Sequence, residues 1–370
     1  MATTSRLFID KYRPRNLDDL DYNFELNKTL KNLSKFEDIP HLIFQGTKGC
    51  GKKTRCLLFL KEKLGSLVTS MRDQTIELKY QNNKTIELQL LYSNYHYQIN
   101  PSLHGVYDRL IIQDFIKNMV QYKSVGNIPY RIIVIEDADK LTYEAQQSLR
   151  RTLEKYIYVC RFIFLVSQEG NLIEALQSRC IRIRVPAPKD EEIFSILSYI
   201  SDQENIEITK LALDSIVEYS QRDLSKAINA LHSLSVRSSD ILQLNKDIAL
   251  SQFSEIEVYI ANIIKLLFEG GDLETILTFR GYIYDLLVHC VEPLDVLKQV
   301  FHHLLKAIPD KYFKFKYEVI KATEYYENTL KIGSKPIYHL EGYIINLFRI
   351  VKNLQKQMNR DNKKVIKKVK

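Results

Sequence analysis

Residues 42–65 read LIFQGTKGCGKKTRCLLFLKEKLG, and this stretch predicts a strand, a glycine-rich loop and a helix in that order. The apolar residues 42–44 are typical of a parallel strand that is buried on both faces. The helix is expected to begin near Lys52 and to end at Gly65, a residue type that favours C-terminal caps. Its predicted buried face consists of Cys56, Leu57, Leu60 and Leu64. This order of elements predicts an α/β domain.

The loop within this stretch has the composition of a phosphate-binding cradle. Its glycines can take positive φ and leave room for backbone N–H groups around an anion, at the positive end of the following helix. Lys52 adds an ammonium group for the β- and γ-phosphates. We therefore predict that ATP or ADP binds here; a glycine-rich turn without a ligand is the alternative. The loop residues assigned to the site are Gly46, Thr47, Lys48, Gly49, Cys50, Gly51, Lys52, Lys53 and Thr54.

The loop departs from the usual phosphate-binding pattern, Gly-x4-Gly-Lys-Ser/Thr, at its last position. Lys53 follows Lys52, and the hydroxyl comes one residue later, at Thr54. That hydroxyl ordinarily ligates Mg²⁺, so a second ammonium group places positive charge beside the metal site. We therefore expect Mg²⁺ to bind poorly, if at all, and assign no metal ligand.

Strands and helices alternate after the loop. The predicted elements are a hairpin at residues 66–91 around Asn82 and Asn83, a helix over Asp108–Gln121, a strand over Arg131–Ile135, a helix at residues 141–156 capped by Thr142, and buried strands at residues 162–166 and 181–185. This alternation predicts a mostly parallel sheet, and the hairpin is expected to be a decoration outside it. Glu136 and Asp137 directly follow the strand Arg131–Ile135, and ligand chemistry collects at that end of the strands in an open α/β sheet.

The pattern changes after Pro186 and Pro188, because almost all later residues follow helical spacing. We predict four regions: a nucleotide-binding domain at residues 1–186, a small helical domain at 187–238, a larger helical domain at 239–355 and a basic tail at 356–370. The tail carries few apolar side chains and is expected to be disordered or a frayed extension of a helix.

Composition limits the class of protein. The chain has 370 residues and a net charge of +8, much of it in the tail. The five cysteines show no paired spacing, which argues against a zinc site or disulfides. No apolar run reaches membrane-spanning length, and the N-terminal residues lack a signal-peptide core. We expect an intracellular protein that is not secreted and has no membrane partner.

Arg150 and Arg151 share a polar helix face and are candidates to bind a DNA backbone.

Several segments together resemble the replication factor C small subunits, which are AAA+ clamp loaders. They are LFIDKYRP at residues 7–14, PHLIFQGTKGCGKKT at 40–54, SNYHYQINPS at 93–102, ADKLTYEAQQSLRRTLEKY at 138–156, QSRCIRIRVPAP at 177–188 and GSKPIYHLEGYI at 333–344. The resemblance covers nearly the whole chain and is greatest to eukaryotic subunit 3, called subunit 5 in yeast. It implies an AAA+ nucleotide domain, a helical lid and an all-α collar that joins the subunits of a heteropentamer.

The resemblance also implies roles for residues and partners. Tyr12, Arg13 and Pro14 match the segment that lines the adenine pocket. Arg179, within Ser178-Arg179-Cys180, matches an arginine finger that acts on the nucleotide of a neighbouring subunit. The implied function is DNA replication, in which the complex uses ATP to load a sliding clamp onto primer–template DNA. The implied location is the nucleus or the replication compartment of a large DNA virus.

The chain's own hydrolytic site departs from the family pattern. The family reads Asp-Glu-Ala-Asp, whereas this chain has Glu136 at the first position and Asp137 at the second. The longer and the shorter acidic side chains have therefore changed places. Ser167 stands at the position of a sensor asparagine, and Ser225 at that of a second sensor arginine. Together with Lys53, these changes predict weak or absent hydrolysis, because small displacements of catalytic groups lower rates steeply.

Two other classes remain as alternatives. One is a self-sufficient enzyme, either an AAA+ DNA-remodelling ATPase of the branch-migration helicase type or a P-loop phosphotransferase. Such a helicase should carry an intact acidic pair and a winged helix, and neither is visible in the sequence. The other is a DNA-binding scaffold that needs no nucleotide, which would leave the phosphate cradle without a use.

Overall fold

The computed structural model describes residues 7–79, 85–121, 130–206, 208–237, 255–269, 273–333 and 335–369. The chain divides into two compact units, Met1–Ala249 and Leu250–Lys370. Within the described ranges, no helix is both long enough and apolar enough to span a membrane.

The first unit is built on one seven-stranded sheet with the order β2-β3-β4-β5-β6-β1-β7. The strands are β1 Leu42–Gln45, β2 Arg72–Lys79, β3 Thr85–Tyr92, β4 His96–Ile99, β5 Arg131–Ile135, β6 Cys160–Val166 and β7 Ile181–Arg184. The five strands from β4 to β7 in this order pair in parallel, whereas β2, β3 and β4 pair antiparallel. The predicted α/β class with a mostly parallel sheet is confirmed.

The sheet has an apolar core on each of its faces. Ile43 of β1 packs into one core with residues such as Phe115 and Leu149, whereas Leu42 and Phe44 pack into the other with residues such as Phe59. Neighbouring side chains of a strand point to opposite faces, so a central strand covered on both sides must be apolar at every position. This is why the run at residues 42–44 forms β1.

Two predicted strand environments were wrong. Residues 181–185 were predicted as a buried strand, but β7 lies at the edge of the sheet and buries only Ile183 of its four residues. The hairpin is not a separate decoration, because β3 pairs with β4 and thereby extends the main sheet. Its predicted turn at Asn82 and Asn83 lies outside the described residues.

The described helices of the first unit are α1 Phe8–Lys11, α2 Phe24–Ser34, α3 Lys52–Leu64, α4 Asp108–Gln121, α5 Tyr143–Lys155, α6 Glu174–Gln177, α7 Asp190–Gln203, α8 Lys210–Ser220 and α9 Leu224–Arg237. Thr142 caps α5, since its side chain accepts a hydrogen bond from Ala145 N. The buried face of α3 differs from the prediction: Leu57 and Leu64 are only half-buried, and Arg55, Leu58 and Phe59 are buried in addition to Cys56 and Leu60.

The second unit is helical throughout its described residues. Its helices are α10 Glu255–Glu269, α11 Leu273–Val288, α12 Pro293–Ala307, α13 Phe313–Ile332 and α14 Pro336–Val369. Side chains such as Ile263, Val300 and Leu347 form one apolar core. The basic tail continues α14 as helical backbone. The predicted boundary at 238/239 falls outside the described residues, and the four predicted domain limits stay predictions.

Candidate nucleotide-binding site

Three glycines shape the loop between β1 and α3, and each is needed for a different reason. Gly46 does not have positive φ, but a Cβ there would lie 2.3 Å from Val185 O. Gly49 and Gly51 have φ of +71° and +83°, which other residues rarely adopt. A Cβ on Gly49 would lie 1.8 Å from Asp223 Oδ1, and one on Gly51 would lie 2.6 Å from the Tyr22 hydroxyl. The backbone therefore takes a path that excludes side chains.

Lys52 begins α3 and curls over this loop. Its Nζ donates hydrogen bonds to Gly46 O at 2.7 Å and to Thr47 O at 2.8 Å, and lies 3.4 Å from Ser167 Oγ. Ser167 therefore reaches the loop from the end of β6, where the sequence predicted a sensor position. The ammonium group is therefore held against the loop by two backbone carbonyls.

Arg55 supports the loop from below, a role that the sequence did not predict. Its side chain is completely buried, with an exposed fraction of 0%. The guanidinium donates to Cys50 O at 3.0 Å and to Tyr22 O at 3.1 Å, and stacks over the Tyr22 ring at 4.2 Å. Since a buried cation needs its donors satisfied, these carbonyls fix the loop and the preceding segment together. Only the tertiary structure brings them to Arg55.

Lys53 and Glu136 form an ion pair that occupies the acidic end of β5. Lys53 Nζ lies 2.9 Å from Glu136 Oε1, and Gln98 Nε2 donates a hydrogen bond to the same oxygen. Asp137, whose φ is +46°, pairs instead with Lys140 at 3.2 Å. Mg²⁺ is held by oxygen ligands, whereas two nitrogen donors already converge on Glu136. These residues do not fit a Mg²⁺ site.

No cluster of three or more His, Cys, Asp or Glu side chains that could hold a metal exists within the part of the chain that the structure describes. The five cysteines form no disulfide with one another within the described residues. Burial raises the pKa of the Cys160 thiol to about 11 and that of Cys180 to about 12. Both are therefore protonated at neutral pH and poor metal ligands.

A cavity of about 890 Å³ opens beside the phosphate loop. The predicted site residues that line it are Tyr12, Arg13, Pro14, Gly49, Gly51, Lys52, Lys53, Thr54 and Ser225. Gly46, Thr47, Lys48, Cys50, Glu136 and Asp137 are not part of this lining. Thr47 and Lys48 are exposed at the loop tip, and Cys50 is buried beneath it. A cavity of this size can hold a small-molecule ligand such as a nucleotide.

The N-terminal segment that lines the cavity is fixed by the helices after the sheet. The Tyr12 hydroxyl donates to Glu204 Oε1 at 2.6 Å, and Lys11 Nζ binds the same oxygen at 2.6 Å. These two hydrogen bonds, that of Lys11 first, lower the pKa of Glu204, whereas desolvation and the bond to Glu204 raise the pKa of Tyr12. Phe8 N donates to His232 Nδ1 at 3.0 Å. The segment at residues 7–14 is therefore attached to Glu204, directly after α7, and to α9.

The phosphate loop also packs closely against the start of α9. Asp223 immediately precedes this helix, and its Oδ1 accepts a hydrogen bond from Lys226 N at 3.0 Å. The same oxygen is the atom that a Cβ on Gly49 would strike. Ser225, the second residue of α9, lines the cavity. The loop, the N-terminal segment and α9 thus enclose the cavity from three sides.

Arg179 lies in the turn between α6 and β7, away from this cavity. Its side chain is 38% exposed, and Nη2 pairs with Glu154 Oε1 of α5 at 2.6 Å. Nη1 donates to Ala175 O at 2.7 Å. A guanidinium has five N–H donors, so these contacts leave further donors for another partner. The predicted finger is held at the surface in a defined orientation.

Arg150 and Arg151 line a separate cleft of about 460 Å³ beside α5. The other basic residues of this lining are Arg109 and Lys155, against Glu144 as its one acidic residue. Arg109 pairs with Glu144 at 2.9 Å. Four cations and one carboxylate make the cleft positively charged, which suits a phosphate backbone.

Comparison with known protein families gives two matches. The family described as replication factor C subunit 3, C-terminal domain, matches residues 256–355. The family described as DNA polymerase III, delta subunit, matches residues 23–189. The first match lies within the helical unit and the second spans the sheet.

Replication factor C subunits of several organisms are similar to this chain over almost its whole length. The chain is 34% identical over 353 residues to replication factor C subunit 3 of Arabidopsis thaliana, covering 94% of this chain and 98% of that protein. It is 33% identical over 349 residues to replication factor C subunit 3 of Homo sapiens, with coverages of 94% and 96%. Replication factor C subunit 5 of Neurospora crassa is 34% identical over 350 residues, with coverages of 93% and 97%.

Among solved structures, the Thermotoga maritima RuvB Holliday junction branch migration motor is similar with a TM-score of 0.46 and 16% identity. This likeness covers 70% of this chain and 80% of that chain.

Proposed function

Because the chain belongs to the family of replication factor C subunits 3 and 5, we propose that it is one subunit of a clamp-loader heteropentamer. In this role the complex uses ATP to load a sliding clamp onto primer–template DNA during DNA replication. Its direct partners are the other replication factor C subunits, the clamp and the DNA. The relatives named above come from eukaryotes, which supports the nucleus as the place of action over a viral replication compartment.

The chain's own site binds ADP or ATP but hydrolyses ATP slowly or not at all. Backbone N–H groups of the loop and the Lys52 ammonium hold the phosphates, while Tyr12, Arg13 and Pro14 flank the base. The observation that carries this proposal is the ion pair of Lys53 with Glu136 at 2.9 Å. It places a fixed positive charge at the acidic strand end and uses the carboxylate that hydrolysis would need. The nucleotide bound at this site stabilises the conformation of the subunit for assembly and is not bound for turnover.

Arg179 supplies the chain's catalytic contribution. A guanidinium suits this role because its planar, permanent charge can neutralise charge that develops on phosphoryl oxygens. Its partial exposure and its remaining N–H donors support donation to the nucleotide of a neighbouring subunit. No step of that reaction depends on the chain's own Glu136 or Asp137.

Arg150 and Arg151 contact the duplex backbone. Their positively charged cleft beside α5 supports this role, since phosphate contacts supply sequence-independent affinity. A clamp loader needs such contacts because it must act at primer ends of any sequence.

The purified chain tests the site assignment. We expect a fluorescent ADP or ATP analogue to bind with and without Mg²⁺, and steady-state phosphate release to stay at background. Turnover at the typical rate of enzymes, on the order of 10 s⁻¹, would favour the self-sufficient ATPase of the branch-migration type instead. Absence of nucleotide binding would favour the nucleotide-independent scaffold. Co-purification with sister subunits is tested in parallel. It is expected for the clamp-loader proposal and for neither the self-sufficient ATPase nor the scaffold.

A further inference from the structure

Glu154, in the last turn of α5, lies between the two arginine groups to which we assign different functions. Its Oε1 is 2.6 Å from Arg179 Nη2 and 3.9 Å from Arg150 Nε. Arg150 Nε has no hydrogen-bond partner among the described residues. One carboxylate oxygen is therefore shared between the proposed finger and a proposed DNA contact.

The sharing is unequal, and its geometry explains why. Arg150 is one helical turn before Glu154, and this order of a basic and an acidic residue is the less favourable one on a helix. Arg179 comes from another segment and makes a short, charge-assisted hydrogen bond with the same oxygen. Nη1 of Arg179 is held by Ala175 O, so Glu154 fixes the second nitrogen of the same guanidinium. Two anchored nitrogens define the orientation of the planar group.

We propose that Glu154 is a positioning residue that couples DNA contact at Arg150 to the orientation of Arg179. In the absence of DNA, the Arg150 cation competes for the Glu154 carboxylate. A DNA phosphate that binds Arg150 removes this competition and leaves the carboxylate to Arg179 alone. The finger is then held in one orientation, and hydrolysis at the neighbouring site speeds up when DNA is present.

The inference rests on the proposed function of Arg179, and its test uses the heteropentamer reconstituted with its sister subunits. We measure kcat and KM for ATP with and without primer–template DNA. Glu154→Gln keeps the side-chain shape but removes the charge. We expect the DNA-stimulated kcat to fall about three- to tenfold with KM unchanged, because only the orientation of the finger is affected. Glu154→Asp should recover part of the lost stimulation.

Arg150→Ala provides the second arm of a double-mutant cycle. It removes the competitor, so we expect basal kcat to rise while the stimulation by DNA falls. The double variant should behave like Glu154→Gln alone, because without the carboxylate Arg150 has no route to the finger. Glu25→Gln is the matched control, since it removes an exposed carboxylate from α2 and lines neither the nucleotide cavity nor the basic cleft. Unchanged thermal stability of all variants excludes a merely structural effect.

The outcomes separate this inference from the proposed function. If Arg179→Ala lowers hydrolysis but Glu154→Gln keeps the wild-type ratio of stimulated to basal kcat, the coupling role is wrong and the finger stands. If the single effects of Glu154→Gln and Arg150→Ala simply add, the two residues act independently and the coupling is again refuted. If Arg179→Ala has no effect on hydrolysis, the finger assignment fails, and the role of Glu154 fails with it.

Discussion

Nucleotide binding to the wild-type chain should not depend on Mg²⁺. Replacing Lys53 with threonine should make it depend on Mg²⁺. Lys53 Nζ is 2.9 Å from Glu136 Oε1, with side-chain exposures of 44% and 26%. A hydrogen bond to a charged group contributes about 1.5–3 kcal/mol. Because solvent screens this half-exposed ammonium, we take about 1 kcal/mol, which corresponds to about fivefold in affinity. If Lys53 contributes this much to phosphate binding, Lys53→Thr should bind ADP about fivefold more weakly in EDTA.

The same variant should recover affinity when Mg²⁺ is added. Threonine restores a hydroxyl that can ligate the metal, and Glu136 loses its ammonium partner. The assay is the Kd for ADP by titration calorimetry in EDTA and in MgCl₂. The wild-type chain should give nearly the same Kd in both buffers. Lys28→Thr is the control, because it removes the same charge from an exposed position on α2. A wild-type Kd that rises tenfold or more in EDTA would refute this account.

Three further predictions concern the loop, the core and the DNA contact. Gly49→Ala should lower the free energy of unfolding by about 2 kcal/mol and weaken ADP binding, because the positive φ and the displacement of Asp223 both cost energy. Urea titrations measure the change in stability. The control Gly170→Ala, whose Cβ would meet nothing within 4 Å, should be neutral in them. Burial lowers the pKa of His96 from 6.5 to about 4, so its contribution to stability is present above pH 6.5 and is lost as pH falls toward 4. This residue alone should make the wild-type protein roughly 2 kcal/mol less stable at pH 5 than at pH 7, and a His96→Asn variant that kept the full pH dependence would exclude it as the cause. Arg150→Ala with Arg151→Ala should lower DNA affinity of the assembled complex and reduce the salt slope by about one per lost phosphate contact, and an unchanged slope would remove these residues from the interface.

Local sequence patterns were sufficient to predict those elements whose bounds follow from their own residues. The bounds of α4 and β5 agree with the predicted ones, and Thr142 caps α5 as expected. β1 and the start of α3 also follow from the apolar run and the glycines around them. In each case one stretch of sequence carries both the periodicity and the signal that ends the element.

The sequence was insufficient where the partners are distant in the chain. Residues 181–185 resemble a buried strand, but β7 is the last strand in the order of the described sheet, and no local pattern shows this. Arg55 is buried because carbonyls of Tyr22 and Cys50 meet its guanidinium, although an arginine on a helix usually faces solvent. The pairing of Glu154 with Arg179 likewise joins two segments that only the fold brings together. The roles of these residues and of the nucleotide stay predictions.

The central claim is that this chain contributes an arginine finger rather than an active site of its own. Arg179→Ala in the reconstituted heteropentamer tests it most directly, with single-turnover ATP hydrolysis at the adjoining site and clamp loading as the readouts. We predict that the adjoining site loses about 10³–10⁵ in rate and that clamp loading falls with it, while the pentamer still assembles and binds nucleotide. A variant complex that hydrolyses ATP at that site and loads clamps at the wild-type rate would contradict the claim.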